Sequence, residues 1–194
     1  MGAQTPQAAG ETAALELRDD LSRHGYNSEF KAIVASGDLT WENKPVEFAT
    51  TAHFLTKLAE LLHVPMGHVV VIPGNHDITW SEADPSYAKG YQYLFAGIAE
   101  SGYRQFYSDI LGRTPSGYLA DLRLFRRDRV VIVGLNSCRL FNKRDAGLGY
   151  VGREQIEQVI RDLRADVSGG MSVVHCGGPG TAGPPALDGG EWSW

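Results

Sequence analysis

Cysteine is scarce. The 194 residues contain two, Cys138 and Cys176. Two thiols far apart in a chain do not build a disulfide framework, so a reducing, cytoplasmic setting is the expectation. Each reads as a small buried apolar residue rather than a nucleophile. Long apolar runs are missing as well, and no stretch approaches the roughly 18–20 residues of a membrane-crossing helix. The start, MGAQTPQAAGETAALELRDD, has neither a basic cluster nor an apolar segment, which argues against a secretory signal. Pro6 stands where a myristoylation motif wants Ser or Thr. No block of Lys and Arg occurs, and with a net charge of −5 there is no nucleic-acid-binding signal. Internal repeats are absent, and nothing marks a subunit interface.

What is present is ordinary globular usage, with 43% apolar and 21% charged residues. The length suits one domain with a real core. Residues 1–10 read as a disordered lead of small and polar residues, residues 11–176 as a single domain, and residues 177–194 as a Gly/Pro-rich tail without periodicity.

Within the domain, helix formers dominate from Glu11 to about His24, with Gly25 as the stop. KAIVA at 31–35 is short, apolar and β-branched, and it runs into Ser36-Gly37-Asp38. Pro45 opens a helix, VEFATTAHFLTKLAELLHV, with Phe48, Ala52, Leu55, Ala59 and Leu62 on one stripe. HVVVIP at 68–73 is the next strand. Residues 81–112 are rich in aromatics and read as helical pieces of an insertion, with the rings as core. YLADLRLF and RVVIVGLNS form an antiparallel hairpin around Arg126-Arg127-Asp128. GREQIEQVIRDL is an amphipathic helix with Ile156, Val159, Ile160 and Leu163 turned inward. MSVVH at 171–175 is a last short strand.

Strand, helix, strand predicts two parallel strands with a right-handed crossover. Their C-terminal ends then share one rim, where open α/β sheets place their ligands. Asp38 follows the first strand, and Asn75-His76-Asp77 follow the second. His175 ends the last. A carboxylate, an amide oxygen and an imidazole suit a borderline divalent metal such as Mn, Fe, Co, Ni or Zn. A metal pair suits in-line attack on phosphorus. His76 beside Asp77 reads as an imidazole whose tautomer the carboxylate fixes, ready to donate to a phosphate oxygen or a leaving group. The bland alternatives are turn residues for Asp38, Asn75, His76 and Asp77, and a satisfied core residue for His175. His53, His63 and His68 read as structural or surface residues. Asn136 and Ser137 read equally as a strand terminus or as part of a pocket lining.

SGDLT at 36–40 and PGNHD at 73–77, each after a short apolar strand, followed by GLGYVGREQIEQVIRDL and MSVVH, resemble the calcineurin-like metallophosphoesterase family. The resemblance covers roughly residues 30–176. It implies an α/β fold, a four-layer α/β/β/α sandwich incomplete in this chain, and a phosphate-ester substrate hydrolysed by metal-activated water. By the same resemblance Asp38 is the bridging metal ligand, Asn75 and His175 are ligands of one metal, and His76 is the catalytic imidazole, oriented by Asp77.

Two family elements do not occur. No strand ending in Asp-x-His precedes residue 31, and no Gly-His-x-His follows His175. Catalytic zinc sites use about three protein ligands, so one weak metal site is expected rather than a pair. The chain is accordingly expected to be a truncated form with weak or no activity. The alternative is a non-catalytic remnant or binding module lacking a complete dimetal site.

Overall fold

The computed structural model describes residues 5–27, 29–78, 100–138, 149–166 and 172–177, with 165, 166 and 172–177 described by their backbone. Among them are four α-helices and five strands. The helices are α1 Pro6–Arg23, α2 Pro45–Leu61, α3 Ser101–Leu111 and α4 Arg153–Asp166. The strands are β1 Ile33–Ser36, β2 Val69–Ile72, β3 Asp121–Phe125, β4 Val130–Leu135 and β5 Ser172–Gly177. None of these helices is long and apolar enough to cross a membrane.

α1 begins at Pro6, so residues 6–10 are not the disordered lead expected from their composition. The Thr5 hydroxyl accepts a hydrogen bond from the Ala8 N–H at 3.2 Å, and Pro6 occupies the first turn, where its missing N–H costs nothing. The small residues have a use. A methyl group added at Gly10 would collide with the Thr50 carbonyl oxygen, and Ala14 is completely buried. Small side chains are what let α1 lie close on α2.

β1 and β2 pair in parallel, from Ile33 opposite Val69 to Ser36 opposite Ile72, with α2 as the crossover. β3 and β4 form the expected antiparallel hairpin, and β5 adds to β4 in parallel with His175 opposite Val133. Period-2 alternation assigns the faces. Val69 and Val71 join Phe48, Leu55, Ala59, Tyr103, Phe106 and Tyr107, which puts α2 and α3 on one side of β2. Val70 packs on Phe125 and Ile132 of the second sheet. Gly134 lets β4 approach, since a Cβ there would lie 2.5 Å from Ile72 Cγ2. On the far face Val131 and Val133 meet Val159 of α4.

β2 is also held along its edge away from β1. The Val71 N–H donates to Asp121 Oδ2 at 3.2 Å, and the Val71 carbonyl accepts from the Tyr103 hydroxyl at 2.8 Å. Asp121 is in turn gripped by Arg113 at 3.1 Å and Arg123 at 2.7 Å. Side chains thus satisfy backbone groups that a further strand would otherwise take.

α4 is rotated from the expected orientation. Val159 is buried and Leu163 packs beside it, but Ile156 and Ile160 are 44% and 40% exposed. Gln155 is completely buried instead. It accepts from the Asn136 N–H at 2.8 Å and donates to the Asn136 carbonyl at 2.9 Å. The backbone just beyond β4 needs partners, and an amide side chain supplies both kinds. Asn136 and Ser137 are therefore a buried strand terminus.

The aromatic rings of α3, Tyr103, Phe106 and Tyr107, are core as expected. The rest of the expected insertion, residues 81–99, lies outside the described residues. β5 carries the chain to Gly177, one residue into the expected tail, and 178–194 also lie outside the described residues.

Candidate active site

The rim is built where two glycines touch. Gly37 follows β1 with φ 105°, and a Cβ on it would stand 2.8 Å from Gly74 Cα. Gly74 follows β2, and a Cβ there would collide with the Asp38 backbone nitrogen and with Asp38 Oδ1. Only residues without a side chain allow the SGDLT and PGNHD loops to come this close. Asp38 itself sits at φ 52°, a left-handed conformation that Asp tolerates better than most. Its side chain is exposed and lies against the second loop, with Oδ1 3.5 Å from the His76 backbone nitrogen.

Asn75, His76 and Asp77 form a single 3-10 turn. Asn75 and His76 are half-buried, while Asp77 is completely buried. Asp77 Oδ1 accepts from the Thr40 N–H at 2.8 Å and the Thr40 hydroxyl at 2.9 Å. Its Oδ2 accepts from the Gly74 N–H at 2.8 Å and the Leu39 N–H at 3.1 Å. Burial lifts its carboxyl above the ordinary carboxylate range, a shift that these donors oppose.

The expected hydrogen bond from Asp77 to the His76 ring is absent among the described residues, because both oxygens serve other donors. The ring contacts Trp41 instead. His76 Nδ1 lies 2.7 Å from the Trp41 carbonyl oxygen, and the imidazole stacks on the indole with centroids 4.8 Å apart and planes 15° from parallel.

β4 reaches the same rim. Cys138, buried just past its end, places Sγ 3.8 Å from the Pro73 carbonyl oxygen. Burial, with the Asp38 and Asp77 carboxylates nearby, pushes its thiol up to about 12. Burial and the raised thiol both fit the small-apolar reading.

His175 lies on β5 next to Val133 of β4, in the sheet that packs against β2; its side chain is outside the described residues. No three His, Cys, Asp or Glu side chains gather as a metal site among the described residues. The donor types at this rim still fit a divalent cation: Asp38 is an exposed carboxylate next to a loop carrying an amide.

Sequence reading missed Thr40 and Trp41. Thr40 had a weak signal, as a hydroxyl residue two positions after Asp38. Trp41 contributes its backbone carbonyl, a group every residue has, and its indole, whose only signal was an aromatic residue three positions after Asp38.

The sequence profile of the calcineurin-like phosphoesterases matches residues 11–167, and the chain belongs to that family. The family supports a metal-dependent phosphoesterase and a phosphate-ester substrate. No curated protein matches the chain.

Proposed function

We propose that the chain hydrolyses a phosphomonoester or phosphodiester at the rim formed by SGDLT and PGNHD, within an incomplete four-layer sandwich. The supporting observation is the Gly37–Gly74 contact, which sets the exposed Asp38 carboxylate beside His76. Asp38, Asn75 and His175 would hold a divalent metal. When bound, such an ion supplies positive charge to phosphate oxygens and activates water.

The chain's own groups do the rest. The Trp41 carbonyl oxygen can only accept, so it favours a proton on His76 Nδ1 and leaves Nε2 to hold or release a proton at the substrate. Asp77 is a positioning residue. It holds Leu39, Thr40 and Gly74 by their amides, and so keeps the two loops in register.

Hydrolysis of an aryl phosphate and a bis-aryl phosphate with added Mn²⁺ tests the reading. Asp38→Asn is the informative variant, since Asn tolerates the same left-handed backbone. Metal-dependent turnover that disappears in Asp38→Asn and falls in His76→Ala supports it. With a sparse ligand set, turnover should sit well below the ordinary enzyme median of about 10 s⁻¹. Equal background in all three proteins would replace it with the non-catalytic binding module.

A further inference from the structure

We propose that Trp41 is the positioning residue for His76: its indole holds the imidazole in the plane that keeps Nδ1 on the Trp41 carbonyl, and so fixes which ring nitrogen carries the proton. This rests on the catalytic reading of His76.

An imidazole turns about two side-chain bonds, and the outer one has a broad, roughly two-fold preference. A ring flip about that bond exchanges Nδ1 for a carbon and moves Nε2. One hydrogen bond to a carbonyl restrains the ring weakly, because carbonyl oxygens accept over a wide range of directions. A stacked neighbour adds what the hydrogen bond lacks, by restricting the ring plane. Both restraints come from one residue here, at 2.7 Å to the carbonyl and 4.8 Å between ring centroids.

Trp41 is itself placed by its neighbour. Thr40 is tied to Asp77 through its N–H at 2.8 Å and its hydroxyl at 2.9 Å, and that hydroxyl also contacts the His76 carbonyl at 3.0 Å. The loops therefore meet in two successive rungs, Thr40 with Asp77 and Trp41 with His76. The imidazole's hydrogen bond among the described residues goes to Trp41, not to Asp77. The indole is also 72% exposed, which is unusual for so large an apolar group. Its packing is spent on the imidazole rather than on the core, so the side chain can be changed with little expected effect on folding.

Trp41→Ala and Trp41→Phe test the proposal, since the Ala variant removes the stack and the Phe variant restores an aromatic face. The first readout is the pair of His76 ring ¹⁵N shifts in the metal-free protein. Wild type and Trp41→Phe should show one tautomer, protonated at Nδ1. Trp41→Ala should move toward the average of two tautomers. The second readout is Mn²⁺-dependent aryl phosphate hydrolysis, where Trp41→Ala should lower kcat by roughly 10–100-fold, the scale of lost supporting contacts, with KM little changed and Trp41→Phe recovering most of the rate. Unchanged shifts in Trp41→Ala, or Trp41→Phe as disturbed as Trp41→Ala, would overturn the proposal. A wild-type protein without activity would remove the phosphoesterase reading and leave the nitrogen-shift comparison decisive for Trp41.

Discussion

Asp77 and Thr40 join two loops that lie 37 residues apart in sequence, through one backbone and one side-chain hydrogen bond to a single carboxylate oxygen. The carboxylate is turned inward and satisfies amides from both loops. Its two oxygens serve four donors, so the loops are not free to separate without stranding buried N–H groups.

Replacing Asp77 by Ala would leave the Leu39, Thr40 and Gly74 amides without their acceptor. A buried donor left unpaired costs about 1–3 kcal/mol. The variant should lose at least about 3 kcal/mol, read as a fall in the urea midpoint. Thr40→Val keeps the backbone bond and loses only the hydroxyl, so its loss should be about 1–2 kcal/mol.

Gly74→Ala places a methyl group against the Asp38 backbone and carboxylate, and the loops must part to admit it. Metal-dependent hydrolysis should drop steeply, and the melting temperature should fall. Gly117→Ala is the control: a Cβ there meets nothing within 4 Å. Its melting temperature and activity should match wild type.

Gln155→Leu preserves bulk but removes both hydrogen bonds to Asn136. The Asn136 N–H and carbonyl are then buried without partners, which should cost about 2–4 kcal/mol by denaturant unfolding. Ile156→Gln, one position along, replaces an exposed side chain and should change stability by less than about 0.5 kcal/mol.

Cys138 should resist iodoacetamide at pH 8 in the folded protein and react once urea is added, as mapped by mass spectrometry of its peptide. Its folded thiol titrates near 12, against 9.0 as its ordinary value. The unfolded chain therefore releases this proton first as pH rises. The stability it contributes is complete below about pH 9 and is lost as pH climbs toward 12. Cys138→Ala should show a shallower loss of stability across that interval.

Much of the fold was legible because burial imposes a period. The run VVVI at 69–72 faces packed groups on both sides and reads as continuously apolar. Pro45 marks the first turn of α2, and the hairpin turn is charged as expected. α1 and α4 were harder. The PQAAG segment looks like a flexible lead because small residues serve equally in a loose chain and in a close helix contact. The inward face of α4 includes Gln155, which no hydrophobic count selects, because its burial depends on the unpaired backbone beyond β4.

Residue order alone places Asp38 and Asn75-His76-Asp77 at the ends of two parallel strands, since a short apolar strand, a crossover helix and a second parallel strand end on the same rim. It also carried the motifs by which the chain resembles its family. What each polar group faces follows from packing. Asp77 turns inward to hold amides, and the His76 ring meets the carbonyl and indole of Trp41. Hydrogen-bond partners across two loops depend on distances of a few tenths of an ångström, set by the contact of Gly37 with Gly74. Residue order specifies which groups arrive at the rim, and packing specifies which of them are already taken.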